Sequence, residues 1–443
     1  MHTTKISRQL LSVGTLCLLL ASLVWSQQMT SFDRDRAQAM LQVIAGEVRK
    51  HYYDPKMHGL DWDAKVAETK QKIDKSPSLN MALSNIAALL DALNDSHTFF
   101  LPPQHAYWHD YGLQYQMIGA HCYVIRVRPG SDAETKGVKA GDEILAINGY
   151  SPDRNNLWKM EYVFNVLRPQ SGLRLDVKPP TSDERQLDVV AKVRLHKKVT
   201  DLTGGGAGGD IWDMFRGAED EEHRMRARVV EVNDELMILR LPVFAFTESE
   251  IDKMIDKARK HKTLILDLRG NPGGSEETLK YLVGSVFEKE VKVGDRVGRK
   301  ENKALVAKSR RSPFTGKLVV LVDSHSASAS ELLARVVQLE KRGVVMGDLS
   351  SGSVMESRHY DHELGVDTVV FYGASITEAD LIMGDGKSLE HTGVIPDEQT
   401  LPAAADLASG RDPVLAHAAA MAGVKISAED AGKMFPYEWP PEK

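Results

Sequence analysis

Two apolar segments that end in loops of small residues constrain the second half of this chain most strongly. Residues 263–268 and 317–322 are too apolar for strands with one face in water. Strands buried on both faces belong to sheets that are covered by helices. Helical patterns follow both segments, over residues 275–287 and 329–342. We therefore predict an α/β fold for this half of the chain.

The loops after these two strands are the candidate site. They read Asp267-Leu-Arg-Gly-Asn-Pro-Gly-Gly274 and Asp323-Ser-His-Ser-Ala-Ser-Ala-Ser-Glu331. Ligands bind at the carboxyl ends of strands in open α/β sheets, so the loops are expected to face one another. A serine at a tight strand-to-helix turn can project as a nucleophile, and N–H groups of a glycine-rich loop can form an oxyanion hole. The alternative is that the serine-rich loop only caps the helix that follows it. The glycine-rich loop matches neither the P-loop nor the G-x-G-x-x-G motif of nucleotide-binding proteins.

The N-terminus has the pattern of a secretory signal peptide. Lys5 and Arg8 precede an apolar stretch from Leu10 to Trp25, and the small residue Ser26 follows. We predict cleavage after Ser26 and export to the periplasm or the medium; the alternative is an uncleaved signal anchor. Of the two cysteines only Cys122 would remain, which excludes an intrachain disulfide and predicts a small buried hydrophobe.

Length and charge limit the remaining possibilities. A chain of 443 residues exceeds one ordinary domain. The net charge of −6, with acids and bases interspersed, gives no basic surface for a nucleic acid. The C-terminal residues look helical and peripheral. The predicted segments are a signal peptide (1–26), a helical domain (27–110), a β domain (111–200), a flexible linker (201–225), the α/β core (226–402) and a helical tail (403–443).

Two stretches resemble known families. The run G-V-K-A-G-D-E-I-L-A-I-N-G, residues 137–149, resembles the PDZ signature, which implies that a peptide strand adds to a sheet edge. A blocked groove is the alternative, and residues 111–115 are the candidate carboxylate-binding loop. The motifs D-L-R-G-N-P-G-G and S-A-S-A-S-E, with L-N-D-S-H-T near residue 95, resemble C-terminal processing peptidases and their tricorn-type relatives.

This resemblance implies a multidomain α/β fold. Its core would be a peptidase of the ClpP/crotonase type, with an N-terminal helical segment and an inserted PDZ-like domain. The implied nucleophile is Ser328, the middle serine of its motif. The implied oxyanion hole consists of the N–H groups of Gly273, Gly274 and Ala329.

The general base for Ser328 cannot be the lysine that completes the usual Ser-Lys dyad of the processing peptidases. Ser353 stands where the lysine would be, and no lysine lies between Lys341 and Lys387. The tricorn-like branch instead implies a Ser-His-Ser-Glu tetrad, in which His97 is the general base and Ser96 and Glu390 complete the set.

These motifs and the resemblance together predict an exported serine peptidase that acts through an acyl-enzyme without metal or cofactor. Its partners would be peptides or proteins, captured by their C-termini, with no nucleic acid and no stable membrane span after signal cleavage. One alternative is a catalytically silent ligand-binding relative, since retinoid-binding proteins share the fold. Another is a PDZ-type scaffold that only holds peptides. The sequence predicts neither the natural substrate nor the oligomeric state.

Overall fold

The computed structural model describes residues 29–105, 107–195, 225–365 and 369–439. The predicted signal peptide lies outside these ranges, as do residues 201–224 of the predicted linker. Within the described part of the chain, no helix combines the length and apolarity needed to cross a bilayer.

Three helices form the N-terminal segment, and each begins at a side chain that caps it. Thr30, Asp61 and Ser78 accept hydrogen bonds from the first turns of these helices. Their apolar faces share one hydrophobic cluster with Tyr372 and Ala374, from far along the chain. The helical segment is therefore packed on a strand from the second half of the chain. The helices are α1 (Ser31–His51), α2 (Trp62–Asp74) and α3 (Leu79–Asp91).

The predicted β domain is a five-stranded antiparallel sheet with two short helices. Its strand order is β3-β4-β5-β6-β7, so β3 has one unpaired edge within the described residues. Cys122 is buried in its core, as predicted. The elements are β2 (Tyr107–Asp110), β3 (Leu113–Ile118), β4 (His121–Val127), α4 (Asp132–Thr135), β5 (Glu143–Ile147), α5 (Leu157–Tyr162), β6 (Gly172–Lys178), β7 (Arg185–Val190) and β8 (Lys192–Leu195), where β8 pairs with β2.

The predicted α/β core is confirmed as a six-stranded sheet of order β18-β15-β14-β11-β10-β9. All neighbours are parallel except β9 and β10. Asp267 pairs with Leu321, so both candidate loops leave the same edge of the sheet. The elements are β9 (Arg228–Asn233), β10 (Leu236–Arg240), α6 (Glu248–Ala258), β11 (Thr263–Asp267), α7 (Glu276–Val286), β14 (Lys317–Val322), α8 (Ala329–Leu339), β15 (Val344–Gly347) and β18 (Glu398–Gln399).

A second sheet crosses between the N-terminal helices and this core, and the sequence analysis did not predict it. Its long hairpin strands β16 and β17 are antiparallel, and β17 also pairs with β1 and β12. Because β1 begins at Phe99, this pairing anchors the loop that contains His97. The strands are β1 (Phe99–Leu101), β12 (Val291–Gly298), β13 (Asn302–Ala307), β16 (Met355–Leu364) and β17 (Val370–Met383).

The C-terminal tail is helical, as predicted, but its expected peripheral position is wrong. Leu415 and Ala418 are buried against Ile265 and Leu321 of the parallel sheet. A parallel sheet needs both faces covered, and the tail supplies the second cover. Its helices are α9 (Ala404–Ala408), α10 (Pro413–Met421) and α11 (Ala428–Lys433).

Candidate active site

Ser328 stands at the sharp turn between β14 and α8. Its backbone has φ 55° and ψ −117°, a sparsely populated conformation for a residue with a side chain. The N–H of Ser328 donates to the carbonyl of Ser353 at 2.9 Å and to Glu331 Oε2 at 3.0 Å. The turn resembles a nucleophile elbow, a sharp strand-to-helix turn in which the strained backbone at the serine exposes its hydroxyl.

The three serines of the motif differ in what their hydroxyls do. Ser326 and Ser330 are fully buried, and their hydroxyls donate to the carbonyls of Leu268 and Asn271 at 2.8 and 3.0 Å. Ser328 is half-buried, and its hydroxyl makes no hydrogen bond to any described residue. Only Ser328 therefore has a hydroxyl that is free for chemistry.

The carboxylate of Glu331 stabilises the turn at Ser328, a role that was not predicted from the sequence. Its carboxylate accepts from the N–H groups of Ser328, Gly352 and Ser353 and from the hydroxyl of Ser350, over 2.6–3.0 Å. Burial raises the pKa of Glu331 to about 7, against the effect of these hydrogen bonds. All three backbone partners are donors, so the ionised carboxylate satisfies them best. Ser353, at the position of the missing lysine, thus supports Ser328 through its backbone.

His97 lies in a turn that Asp95 fixes. Asp95 Oδ1 accepts from the N–H groups of His97 at 3.0 Å and Thr98 at 2.7 Å, and from the Thr377 hydroxyl at 2.7 Å. This is an Asx turn, tied to β17 by a threonine. The motif L-N-D-S-H-T contains all the local signals for this turn, whereas the contact with β17 depends on the tertiary fold.

Ser96, His97 and Glu390 form a continuous chain of hydrogen bonds. The Ser96 hydroxyl lies 2.9 Å from Glu390 Oε2 and 2.7 Å from His97 Nδ1. A carboxylate only accepts, so the Ser96 hydroxyl donates to Glu390 and accepts from Nδ1–H of His97. We assign the tautomer from this chain. It leaves Nε2 of His97 unprotonated, as a base requires.

The environment of His97 favours its neutral form. Burial lowers the pKa of His97, and the charge of Asp95 opposes this effect only in part. Burial also raises the pKa of Glu390, against the hydrogen bonds that it accepts from Val354 and Ser96. A neutral imidazole can accept a proton, so these surroundings suit a general base.

The structure brings Ser96, His97 and Glu390 into contact, but no hydrogen bond joins His97 to Ser328 among the described residues. Glu390 and Ser328 are instead linked indirectly, through the backbone of residues 353 and 354. Glu390 accepts from the N–H of Val354 at 2.9 Å, and the preceding carbonyl, of Ser353, accepts from Ser328. Catalytic hydrogen bonds are often absent or long before substrate binds.

The predicted oxyanion donors differ in availability. The N–H of Gly273 donates to the side-chain oxygen of Asn271 at 2.8 Å and is therefore engaged. The N–H groups of Gly274 and Ala329 have no acceptor among the described residues. Gly273 instead has a packing role, because a Cβ built there would lie 2.7 Å from Ser328 Cβ.

Asn271 is a second residue that sequence reasoning missed. It is fully buried, its amide donates to the carbonyl of Leu241, and its own carbonyl accepts from Ala327. It thus joins the two predicted loops, and a single sequence carries no signal for such a contact. Among the described residues, no group of three or more His, Cys, Asp or Glu side chains could hold a metal.

Comparison with known proteins agrees with this architecture. Residues 235–400 match peptidase family S41, residues 109–178 match the PDZ domain, and residues 33–76 match the tricorn protease C1 domain. The chain is 27% identical over 295 residues to the carboxyl-terminal-processing protease of Picosynechococcus sp.. That match covers 62% of this chain and 59% of the relative, so the chain spans less than two thirds of that protein.

Two further similarities cover more of the chain. Carboxyl-terminal-processing peptidase 3, chloroplastic, of Arabidopsis thaliana is 22% identical over 405 residues, which are 84% of this chain and 70% of the relative. The crystal structure of mature CPAF superposes with a TM-score of 0.63 at 14% identity, covering 85% of this chain and 94% of that one. The latter similarity concerns the fold alone. The chain therefore carries a domain of peptidase family S41, preceded by a tricorn C1 domain and a PDZ domain.

Proposed function

We propose that this protein hydrolyses peptide bonds through an acyl-enzyme on Ser328. The chain of hydrogen bonds from His97 through Ser96 to Glu390 carries this proposal, because it leaves Nε2 of His97 as an unprotonated base. The Ser328 hydroxyl has no other partner among the described residues, which supports its role as the nucleophile.

The reaction begins when substrate brings the Ser328 hydroxyl within hydrogen-bond reach of His97. A rotation of the serine side chain is the smallest movement that changes this distance. His97 takes the hydroxyl proton as Ser328 Oγ attacks the scissile carbonyl, and the resulting imidazolium is held by Ser96 and Glu390. His97 then protonates the leaving amine, and water hydrolyses the acyl-enzyme by the same steps in reverse.

The oxyanion hole of this proposal consists of the N–H groups of Gly274 and Ala329. Ala329 begins helix α8, so its N–H belongs to the positive end of a helix dipole. Each such donor contributes about 3 kcal/mol to lowering the barrier. Gly273, the third predicted donor, serves in this proposal to let the loop approach Ser328.

Substrate capture and location are further parts of the proposal. The unpaired edge of β3 can accept an extended peptide as a sixth strand, in the manner of PDZ domains. The basic residues Lys5 and Arg8 before the apolar stretch support export, with cleavage after Ser26. The substrates would be peptides or proteins presented with a free C-terminus.

A fluorophosphonate probe tests the nucleophile directly. The probe should label the protein, and Ser328→Ala should abolish labelling. Ser326→Ala and Ser330→Ala are the matched controls: their hydroxyls are buried and bonded, so labelling should persist wherever these variants remain folded. His97→Ala should stop acylation. Labelling that survives in Ser328→Ala contradicts the nucleophile, and a folded protein that is never labelled supports the silent relative.

A further inference from the structure

The last described residues of the chain lie in a cleft between the PDZ domain and the peptidase core. The cleft has a volume of about 690 Å³, and its lining includes Gln114 and Tyr115 of the edge strand β3. Residues 437–439, which are Tyr-Glu-Trp, form part of its wall. The segment from Phe435 to Trp439 follows helix α11 without forming a helix or strand itself.

Aromatic residues alternate along this segment, and an arginine stacks on each ring. Arg126 lies 4.5 Å from the ring centroid of Tyr437, and Arg128 lies 4.6 Å from that of Trp439. The two arginines are two residues apart, as are the two rings. Side chains two residues apart point to the same side of an extended chain, so the spacings match.

Arginines on the core side of the cleft also lie over an aromatic ring of this segment. Arg228 and Arg240 lie 5.5 and 5.7 Å from the ring centroid of Phe435. The guanidinium of Arg228 also donates to the carbonyl of Pro436 at 2.8 Å. The segment therefore contacts arginines of both domains and links them.

Arg126, Arg228 and Arg240 bring positive charge together in the cleft, whereas Arg128 already pairs with Asp110 at 3.1 Å. Burial lowers the pKa of Arg126, and the neighbouring charge of Arg240 adds to the effect. The negative face of an aromatic ring attracts a guanidinium without the desolvation cost of a second ion. Aromatic side chains are therefore suitable occupants of a cleft with this charge.

The position of the segment also bears on the edge of β3. Gln114, on this strand, donates from its side chain to the Tyr437 hydroxyl at 2.6 Å. Tyr437 and Trp439 contact each other edge to face, with ring centroids 5.1 Å apart. A peptide that uses the same arginines beside β3 has to displace both rings.

We propose that this cleft binds extended peptides with aromatic residues at alternate positions, and that residues 435–439 occupy it as an intramolecular competitor. The inference rests on the proposed function, since it names a class of substrate for that peptidase. The chain's own C-terminal segment then lowers the affinity for substrate until a peptide of the same pattern replaces it.

Peptide binding in the full chain tests the inference. In a Ser328→Ala background, the probe is a fluorescein-labelled peptide Phe-Pro-Tyr-Glu-Trp-Pro-Pro-Glu-Lys, and fluorescence polarisation measures its binding. Tyr437→Ala combined with Trp439→Ala should raise the affinity about 5- to 30-fold, because two stacked pairs of roughly 0.5–1 kcal/mol each are lost. Phe371→Ala, which removes a 70% exposed ring outside the cleft, is the control and should change nothing.

Two additional measurements separate the possible results. A peptide with alanine at its tyrosine and tryptophan positions should not bind the double variant, and adding Arg126→Gln to that variant should weaken binding of the aromatic peptide. Equal affinity of the double variant and its parent, or no binding by a double variant that unfolds at the parent's temperature, would overturn the inference. Binding is read without cleavage, so fluorophosphonate labelling of Ser328 tests the proposed function independently.

Discussion

The turn at Ser328, the proposed nucleophile, depends on the buried carboxylate of Glu331. The Glu331 carboxylate is fully buried and accepts four hydrogen bonds, three of them from the backbone around Ser328. Each buried donor that loses its acceptor costs about 1–3 kcal/mol. Ser328 keeps its strained backbone because these bonds hold it.

Glu331→Gln should reduce both stability and acylation. One end of the glutamine amide is a donor and would face backbone N–H groups, so at least one of these groups loses its acceptor. We expect the free energy of unfolding to fall by about 1–3 kcal/mol and fluorophosphonate labelling to slow by about 100-fold. Glu340→Gln, at the other end of the same helix, is the control and should leave both unchanged. Normal labelling in a folded Glu331→Gln would contradict the positioning role.

The pH dependence of acylation should report His97. Burial lowers the pKa of His97, so the imidazole stays neutral, and able to accept a proton, to a lower pH than an exposed histidine. The acidic limb of the labelling rate should therefore have its midpoint below the ordinary histidine value of about 6.5. Asp95→Asn removes the charge that opposes the shift and should move the midpoint lower still. A midpoint near 7 that Asp95→Asn leaves unmoved would instead report Glu331, whose pKa burial raises to about 7, and would argue against His97 as the titrating base.

At the scale of elements, two strand-to-helix loops must approach closely for the site to exist. Gly273 has φ +99° and is buried against Ser328, where a Cβ would meet Ser328 Cβ at 2.7 Å and the carbonyl oxygen of Ala327 at 2.9 Å. Gly270, in the same loop, has φ +74°, and nothing lies within 4 Å of its added Cβ. The first glycine is needed for space and conformation, the second for conformation only.

Gly273→Ala and Gly270→Ala form a matched pair. Both replacements place an L-residue at positive φ, at a cost of about 1–2 kcal/mol. Only Gly273→Ala also pushes on Ser328, so only this variant should lose fluorophosphonate labelling while remaining folded by circular dichroism. Equal labelling of the two variants would show that the close approach at Gly273 does not control the nucleophile.

At the scale of the whole molecule, the PDZ domain is fixed to the core by a few polar contacts. Arg154 donates to the carbonyls of Gly119 and Leu349 at 2.8 and 2.9 Å and to Asp348 at 2.5 Å. Asp348 is buried and also accepts from the N–H of Gly119 at 2.8 Å. This contact lies just after β15, and its Gly119 directly follows β3.

Arg154→Ala should loosen the PDZ domain without unfolding either part. Removing one member of a buried ion pair costs about 3–5 kcal/mol, and the exposed fraction of Arg154 places the loss at the lower end. Hydrogen exchange should rise in residues 119 and 348–350 and stay unchanged in strands β11 and β14. Arg154→Lys retains the charge but not the fork of donors, and should give an intermediate result. Unchanged exchange at the contact would contradict this role.

The sequence by itself determined the elements whose signals are local. The apolar runs of β11 and β14, the glycine-rich and serine-rich loops, the PDZ signature and the absence of a lysine between Lys341 and Lys387 all read directly from the chain. These features depend on burial periodicity and turn chemistry, which act within a few residues.

Tertiary structure alone decided how distant residues meet. Ser96 and Glu390 are 294 residues apart and join because β1 pairs with β17, a long-range pairing that no local pattern encodes. The engaged N–H of Gly273, the support from Glu331 and the buried position of the C-terminal helices likewise follow from packing. Local sequence sets which groups are present, whereas hydrogen-bond partners across the fold set which of them remain free to react.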